Sequence, residues 1–269
     1  MRPPPKTGQE KKLQKPGIGQ DCPQVIPAAS IIKRHMPDFE FNSLREAANY
    51  RRLLVREIGA WVRGKTLEVG CGIGQMSGVL QSLPHITHLE CVEPEESFCL
   101  EFKKTFPAVP VVCGTVADIA GDWDSIVSIN VLEHIENDRR ELGLYRDRLA
   151  GNGGVLALFV PARQELYAPI DKAFGHFRRY GRAEILEKLG GAGFTIEAVR
   201  YCDFIGYFSW LLIHKWLRRD NFNRAALLLF DRCFFPPENW METNVCNPPF
   251  GKNLLAIARA AGGGMGTGR

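Results

Sequence analysis

The most informative stretch of this chain is Thr66-Leu67-Glu68-Val69-Gly70-Cys71-Gly72-Ile73-Gly74-Gln75. An apolar run that carries one acid ends in three glycines at alternate positions, and a helical stretch follows. Glycines allow the backbone to turn sharply from a strand into a helix, and they allow a ligand to approach the main chain closely. The stretch therefore predicts a strand, a ligand-binding turn and a helix, with a nucleotide-like ligand as the first hypothesis.

The spacing of the glycines distinguishes between kinds of nucleotide site. A dinucleotide-binding turn has the pattern G-x-G-x-x-G, whereas here the third glycine comes one residue early and Gln75 occupies the expected position. Glu93 follows Gly74 by nineteen residues. An acid at about this distance from the turn is placed to accept hydrogen bonds from both ribose hydroxyls. The pattern therefore argues against a dinucleotide ligand and is consistent with another ligand that contains a ribose.

Short apolar runs alternate with helical stretches along much of the chain. The predicted strands are residues 66–69, 87–92, 109–112, 125–129, 155–160, 195–201 and 254–258. The predicted helices are residues 43–62, 75–83, 96–105, 138–150 and 183–189. Because alternation of this kind produces crossover units, we predict an α/β fold with a doubly wound, mostly parallel, seven-stranded sheet.

Residues 26–260 are predicted to form one domain between two flexible segments. Residues 1–25 are rich in Pro, Lys, Gln and Gly and cannot bury enough apolar surface to offset their ordering entropy, and residues 261–269 form a glycine-rich tail. Residues 202–251 do not fit the alternation of strands and helices, and they are apolar and aromatic. We predict that they form an inserted helical lobe, or lid, ahead of the last strand.

The composition argues against several classes of protein. The formal net charge of +4 is mild, whereas nucleic-acid-binding domains have a much stronger basic bias. The longest apolar run, residues 204–213, is about half the length of a membrane span. The eight cysteines include no C-x-x-C pair and no zinc-ligand spacing with histidines nearby. We therefore expect a cytoplasmic protein with reduced thiols, without a metal site and without a nucleic-acid partner.

Four motifs in sequence order carry a family resemblance. They are LEVGCGIG at residues 67–74, VEP at 92–94, SINVLEHIEND at 128–138 and GNGGVLALFVPA at 151–162. Together they resemble the class I S-adenosylmethionine-dependent methyltransferases, in particular the small-molecule enzymes of the type 11/12 group. The resemblance covers about residues 50–200 and resumes at 251–259. It implies a Rossmann-like class I methyltransferase fold that binds S-adenosylmethionine.

The resemblance also implies roles for individual cofactor-binding residues. The positions that match the motifs are Glu68, Gly70, Gly72, Gly74, Glu93, Thr115, Val116 and Asn130. The glycines would pass beneath the methionine portion of the cofactor, Glu68 would orient its amino group, Glu93 would hold the ribose, and Asn130 would face the methyl end. Many relatives have a Gly-Asp pair at the adenine, but this chain has Gly-Thr at residues 114–115. Either Thr115 and the Val116 amide serve instead, or Asp118 reaches across.

The acceptor is expected to bind beside residues 163–180. The spacing LY-x-x-x-D-x-x-x-GH-x-RRY at residues 166–180 resembles a block found in a subset of these enzymes. His176 is the best candidate for a general base, since histidine titrates near neutral pH, and Asp171 could orient it. The predicted acceptor-binding residues are Tyr167, Arg178, Arg179 and Tyr180. The competing hypothesis is that this block only fixes the loop to the sheet.

Two further features have more than one interpretation. Glu133 and His134 are read either as a catalytic dyad or as the cap of the turn after the fourth strand. The lobe forms either core packing or a dimer interface, or it covers a lipid-like acceptor and permits contact with an anionic membrane surface.

The resulting hypothesis is a methyltransferase that acts on a small, amphiphilic or anionic acceptor, with O-methylation slightly favoured because a base is available. The alternatives are C-methylation of an isoprenoid or polyketide, and a non-catalytic subunit that binds S-adenosylmethionine.

Overall fold

The computed structural model describes residues 47–149, 153–217, 224–245 and 247–261. A seven-stranded sheet runs through it in the order β3-β2-β1-β4-β5-β7-β6. All pairs are parallel except those of β7, which is antiparallel to both neighbours. The strands are β1 Gly64–Val69, β2 Ile86–Glu93, β3 Val111–Cys113, β4 Ser125–Ile129, β5 Val155–Pro161, β6 Phe194–Cys202 and β7 Asn253–Ala260. The predicted doubly wound, mostly parallel sheet is confirmed.

Both faces of the sheet are covered, which explains its continuous apolar runs. Every residue of β5 is buried. Leu156, Leu158 and Val160 belong to the core on one face, whereas Val155, Ala157 and Phe159 belong to the core on the other. This alternation is what a strand with layers on both sides requires.

Helices precede the sheet and connect most of its strands. Their bounds are α1 Ala48–Gly59, α2 Ser77–Leu80, α3 Glu96–Thr105, α4 Asp138–Arg148, α5 Pro169–Phe174 and α6 Arg182–Gly191. α1 buries Leu53, Leu54, Val55 and Ile58 on one side, as its amphipathic pattern predicts. Residues 43–46 of the predicted first helix lie outside the described residues, as do the predicted arm at 1–25 and residues 262–269 of the predicted tail.

The described residues between β6 and β7 form three α-helices. They are α7 Phe204–Trp210, α8 Arg224–Leu229 and α9 Phe235–Asn244, with π-helical turns at Leu211–Trp216 and Phe230–Phe234. Asp231 attaches this segment to the start of α1, because its carboxylate accepts hydrogen bonds from the backbone amides of Asn49 and Tyr50 at 3.2 and 3.0 Å. Trp210 packs in a separate apolar cluster with residues 166–174. The segment therefore contacts both the first helix and the loop after β5.

Two further observations bear on the sequence expectations. Among the residues that the structure describes, no helix is long and apolar enough to cross a membrane. Cys99 in α3 and Cys113 at the end of β3 lie side by side, with Cα atoms 6.0 Å apart, a separation that permits a disulfide. The expectation of reduced thiols therefore stays a prediction.

Candidate active site

The glycine turn after β1 has the backbone conformation that only glycine adopts readily. The φ angles of Gly70, Gly72 and Gly74 are 69°, 54° and 93°. A Cβ atom added to Gly70 would overlap the side chain of Val131, and one added to Gly74 would overlap Phe106. Both the backbone conformation and the neighbouring side chains therefore exclude residues larger than glycine from this turn.

Glu68 lies at the end of β1 and is buried at 4% exposure. Its carboxylate accepts a hydrogen bond of 2.5 Å from Ser77, at the start of α2. Burial raises the pKa of Glu68 to about 7, and the hydrogen bond from Ser77 only partly offsets that rise. The carboxyl group of Glu68 therefore ionises near neutral pH.

Glu93, at the end of β2, is fixed by the main chain of two different turns. One carboxylate oxygen accepts from the amide of Gly72 at 2.9 Å, and the other accepts from the amide of Glu95 at 3.0 Å. Burial raises the pKa of Glu93, while these two hydrogen bonds act in the opposite direction. The contact with Gly72 joins the glycine turn to the acid that was predicted from its spacing.

Asn130 follows β4 with a φ of 53°, which is uncommon for a residue other than glycine. Its amide donates to the carbonyl of Phe159 at 2.8 Å, so the β4–β5 pairing holds it in this conformation. The residue directly after it is Val131, the side chain that packs against Gly70. The ends of β1 and β4 therefore form one continuous wall.

The predicted adenine contacts lie apart from this wall. The Asp118 carboxylate accepts from both the amide and the hydroxyl of Thr115, at 2.8 and 2.9 Å, and these bonds hold the pKa of Asp118 low. The side chain of Val116 is completely buried in the core. Neither Thr115 nor Val116 lines the cavity described next, so the adenine assignment stays a prediction.

A cavity of about 1100 Å³ opens at the carboxyl ends of the strands. This edge is where doubly wound sheets bind their ligands. Glu68, Gly70, Glu93 and Asn130 line one side of the cavity. The space is large enough for a nucleoside with an amino-acid chain, since ligand cavities of this kind measure roughly 300–1,000 Å³. The glycine turn, from which a side chain would be excluded, and two buried acids at the predicted positions fit S-adenosylmethionine.

The other side of the cavity contains His176, which is buried at 8% exposure. Its Nδ1 lies 3.1 Å from Asp171, and its Nε2 is buried without a hydrogen-bond partner among the described residues. Asp171 also accepts from the amide of Ala168 at 2.9 Å and from Arg179 at 2.8 Å. Arg179 in turn lies over the ring of Trp210, 4.5 Å from its centroid. The imidazole is thus oriented by a carboxylate that is itself fixed.

The charges of this group follow from burial and pairing. Burial alone would raise the pKa of Asp171, but the hydrogen bond from His176 and the charge of Arg179 outweigh it and hold the pKa below its usual value. Burial lowers the pKa of His176 despite the contact with Asp171. His176 is therefore neutral at neutral pH, and Nε2 of its ring can accept a proton.

Glu133 and His134 lie against His176. The rings of His134 and His176 meet edge to face, with centroids 4.6 Å apart. Burial, and secondarily His176, lowers the pKa of His134 to about 3. Glu133 is completely buried, and its carbonyl accepts from the amide of Phe177 at 2.8 Å. All three side chains line the cavity.

Two of the predicted acceptor-binding residues are directed elsewhere. Arg178 donates to Asp138 at 2.7 Å, and the Tyr180 hydroxyl donates to the same carboxylate at 3.0 Å. Lys188 completes this cluster at 2.5 Å from Asp138. Arg178 and Tyr180 thus join the loop to α4 and α6, and they do not line the cavity. Their role in acceptor binding gains no support from this geometry and stays a prediction.

Tyr167 and Arg179 do line the cavity. The Tyr167 hydroxyl donates to the carbonyl of His176 at 2.7 Å, which fixes the backbone of the residue that carries the imidazole. Arg179 is 2% exposed and donates to Asp171 and to the carbonyl of Ala162. Of the predicted acceptor-binding set, these two are the residues that the fold brings to His176.

Sequence reasoning missed a second polar group on the cavity wall. Asp203 is 1% exposed, and its Oδ2 pairs with Lys252 at 2.6 Å. The Tyr50 hydroxyl accepts from the side-chain amide of Asn253 at 3.0 Å. These residues come from α1, from the end of β6 and from the segment leading into β7, so no local motif unites them. The apolar and aromatic character of the inserted segment was the one signal that pointed to this side.

Comparisons with known proteins agree with this geometry. Residues 67–158 match the model of a methyltransferase domain family. None of the curated proteins compared matches the chain in sequence.

Solved structures share the fold at low sequence identity. A Haloferax volcanii methyltransferase in complex with the activator Trm112 has a TM-score of 0.55 and 15% identity, over 83% of this chain and 96% of its own. A methyltransferase from Bacillus halodurans C-125 has a TM-score of 0.54 and 18% identity, over 78% and 98%. An S-adenosylmethionine-dependent methyltransferase from Clostridium acetobutylicum ATCC 824 has a TM-score of 0.53 and 11% identity, over 80% and 92%.

The matched domain begins in β1 and ends in β5, so it includes the glycine turn, Glu93 and Asn130. The fold, this match and the cavity lead to the same conclusion. Residues 67–158 belong to a methyltransferase domain family, and the chain has the fold of class I S-adenosylmethionine-dependent methyltransferases.

Proposed function

We propose that this enzyme methylates a hydroxyl oxygen of a small, amphiphilic, anionic acceptor that lies between His176 and the inserted lobe. The observation that carries the proposal is the Nε2 atom of His176, which is buried in the cavity wall without a partner while Nδ1 is bound to Asp171. A buried imidazole nitrogen that faces a ligand cavity and is neutral at neutral pH is suited to removing a hydroxyl proton.

The residues of the chain prepare the acceptor for an in-line displacement. The cofactor supplies an electrophilic methyl group when it is bound. Asp171 holds the tautomer of His176 that leaves Nε2 free to accept a proton, and Arg179 keeps Asp171 ionised. Phe174, Trp210 and Phe235 surround the cavity with apolar surface that excludes water. His176 would accept the hydroxyl proton at Nε2 as the acceptor oxygen takes the methyl group, and the electron pair of the broken C–S bond would stay on the sulfur of the cofactor.

The chemistry of the walls favours an amphiphilic acceptor. The lobe contributes the aromatic side chains Trp210, Phe230 and Phe235 and the acids Asp203 and Asp231 to the cavity wall. Lys172 lies on the same wall beside a smaller cleft that it shares with Tyr167 and Lys215. A cation beside an apolar wall favours a ligand with an apolar body and an anionic end.

The outer surface of the lobe supports a lipid-like acceptor. Most of the exposed large apolar side chains among the described residues belong to this segment: Phe208, Leu212, Ile213, Trp216, Leu217, Leu229, Phe234, Trp240, Met241 and Val245. Lys215 and Arg232 are exposed among them. Apolar side chains with interspersed cations are typical of helices that lie on an anionic membrane surface. We therefore propose a peripheral membrane contact, with a homodimer interface as the competing occupant of this surface.

The test uses cofactor with a labelled methyl group, which is incubated with the enzyme and a cell extract that is then partitioned between organic and aqueous phases. We expect label in the organic phase. Cleavage of the ether or ester bond in the product should then release the label as a one-carbon fragment. His176→Asn should retain cofactor affinity but lose at least about 100-fold in turnover, in the range of a lost general base. His85→Asn, which removes an exposed histidine, is the matched control. Full turnover of His176→Asn would leave His176 as a structural residue.

C-methylation of an isoprenoid or polyketide is the second candidate, because Tyr50, Phe230 and Phe235 line the cavity and aromatic faces stabilise a cation. Label that resists cleavage of C–O bonds would favour it.

A non-catalytic subunit is the third candidate, and it predicts cofactor binding without label in any acceptor. The Glu93 contact with Gly72 is expected in both cases, so the transfer of label decides between them.

A cytoplasmic location remains part of the proposal. Cys71, Cys91 and Cys202 are buried free thiols, which persist most readily in a reducing compartment, whereas a disulfide between the adjacent Cys99 and Cys113 would favour an oxidising one. Alkylation of freshly lysed cells before purification, followed by intact-mass measurement, tests this. Alkylation of Cys99 and Cys113 supports the cytoplasm, and their protection contradicts it.

A further inference from the structure

Three side chains at the acceptor end of the cavity form a cluster of metal-ligand type. One ligand atom from each of Glu133, His134 and His176 can be chosen so that all three lie within 4.8 Å of one another. Glu133 and His176 are buried, and His134 is half-buried. Ligand atoms that surround one divalent ion at roughly 2.0–2.2 Å lie about 3.3–4.4 Å apart, so small side-chain shifts would close this cluster around an ion.

The backbone holds the three residues together before any ligand binds. Glu133 and His134 belong to the tight turn at Leu132–His134 that follows β4, and His176 follows α5. The amide of Phe177 donates to the carbonyl of Glu133 at 2.8 Å, which ties the two segments to each other. The positions are therefore fixed by the fold and do not depend on flexible side chains alone.

The contact that Nδ1 of His176 makes with a carboxylate is typical of metal-binding histidines. Its Nδ1 lies 3.1 Å from the Asp171 carboxylate, which leaves Nε2 buried and without a partner among the described residues. Ligating histidines almost always direct their second nitrogen to a carboxylate, a carbonyl or water, and this contact orients the ring. An unpartnered buried Nε2 beside a second histidine and a buried carboxylate points to a missing ligand.

We infer that Glu133, His134 and Nε2 of His176 bind a divalent transition-metal ion, with Asp171 as the outer partner of His176. The cysteine spacing predicts no metal site, and no local motif indicates this one, because His176 is far from Glu133 in sequence. Three protein ligands leave coordination positions open toward the cavity. A ligand set of two imidazoles and one carboxylate suits Zn²⁺ or Mn²⁺ better than Mg²⁺, which prefers oxygen.

This inference rests on the proposed methyl transfer to an acceptor oxygen and deepens it, but it assigns activation of the hydroxyl to the ion in place of His176. An acceptor hydroxyl that binds the ion releases its proton to solvent more readily, because a divalent cation lowers the pKa of a bound hydroxyl. The electron pair of the oxygen then forms the bond to the methyl carbon, and the C–S bond breaks with its pair on sulfur. In this form His176 acts as a ligand, and the ion takes over the task of activating the oxygen. Acceptors with two neighbouring oxygens, such as catechols or hydroxycarboxylates, fit two open positions.

The test begins with chelator-treated, full-length enzyme and titrates it with ZnCl₂ by calorimetry and with MnCl₂ by electron paramagnetic resonance. We expect one saturable site per chain. Glu133→Gln and His176→Asn should weaken binding of Zn²⁺ at least about 100-fold, since loss of even an outer partner commonly costs 10–100-fold. His85→Asn should bind like the wild type. The affinity for S-adenosylmethionine is measured on each variant, because an unchanged value shows that the cavity is still folded.

The outcomes separate the metal site from the proposed function. The absence of saturable binding, or equal affinity in wild type and His176→Asn, overturns the site. Full methyl transfer by the chelator-treated enzyme overturns the ion's role while leaving the proposed function intact. One bound ion per chain with no label in any acceptor supports the site and contradicts the proposed function. Methyl transfer that ZnCl₂ or MnCl₂ restores after chelation supports both.

Discussion

The two sides of the cavity are built in different ways. On the cofactor side, the glycine turn and Glu93 are joined by contacts of the main chain: the amides of Gly72 and Glu95 hold the carboxylate. On the acceptor side, His176 is held by side chains, first Asp171 and then Arg179. The residues of the first side lie at the ends of neighbouring strands. The second side joins the local network at residues 171–179 to Glu133, Trp210 and Lys252, which are distant in sequence.

The largest expected effect is on the side-chain network of the acceptor side. Arg179→Met leaves the buried Asp171 without its cation, which should lower the free energy of unfolding by about 3–5 kcal/mol. Arg178→Met is the matched control, because Asp138 keeps Lys188 and Tyr180 as partners. It should cost about 1 kcal/mol or less. Urea unfolding measures both, and equal losses would contradict the difference between the two adjacent arginines.

The next effect concerns the glycine turn. Gly70→Val forces a residue with a Cβ into a φ of 69° and against Val131, which should weaken binding of S-adenosylmethionine about 100-fold. Gly143→Ala is the control, since Gly143 lies in α4 with no atom within 4 Å of an added Cβ. Calorimetry that found equal affinities in both variants would remove the turn from the cofactor site.

A smaller effect is expected from pH. The pKa of Glu68 is raised to about 7, above its unfolded value, so the free protein loses stability as pH rises from about 4.5 to 7. Binding of the cofactor's ammonium group favours the ionised acid, so affinity should rise roughly tenfold at most between pH 6 and 7.5. Glu68→Gln should be flat over this interval. A wild type that is equally flat would show that Glu68 does not contact the ammonium group.

The smallest effect is expected at the outer surface of the lobe. Trp216→Ser and Trp240→Ser should each reduce sedimentation with anionic vesicles, by roughly fivefold, since exposed Trp side chains anchor interfacial helices. Leu100→Ser removes an exposed apolar side chain from α3 and is the control. If vesicle binding persisted in both tryptophan variants while dimerisation was lost, the surface would be assigned to a second copy of the chain.

The sequence was sufficient for the sheet and not for the acceptor side, for physical reasons. An apolar run indicates a strand that is buried between two layers, so the sequence predicts all seven strands. The third strand was predicted from residue 109, but β3 begins at Val111 because Pro110 has no amide to donate. The glycine turn and Glu93 lie within one βαβ unit. The motif within residues 163–180 predicts which residues lie near the acceptor. It does not predict the direction of each side chain, because tertiary contacts determine that direction. Lys252 and Tyr50 meet only in the fold.

The most direct test of the account is methyl transfer itself, measured with labelled cofactor in cell extract for the wild type and for His176→Asn. The account predicts that both bind S-adenosylmethionine with similar affinity, while the wild type alone transfers label to an organic-soluble acceptor. Binding of the cofactor by the wild type without label in any acceptor fraction would contradict it.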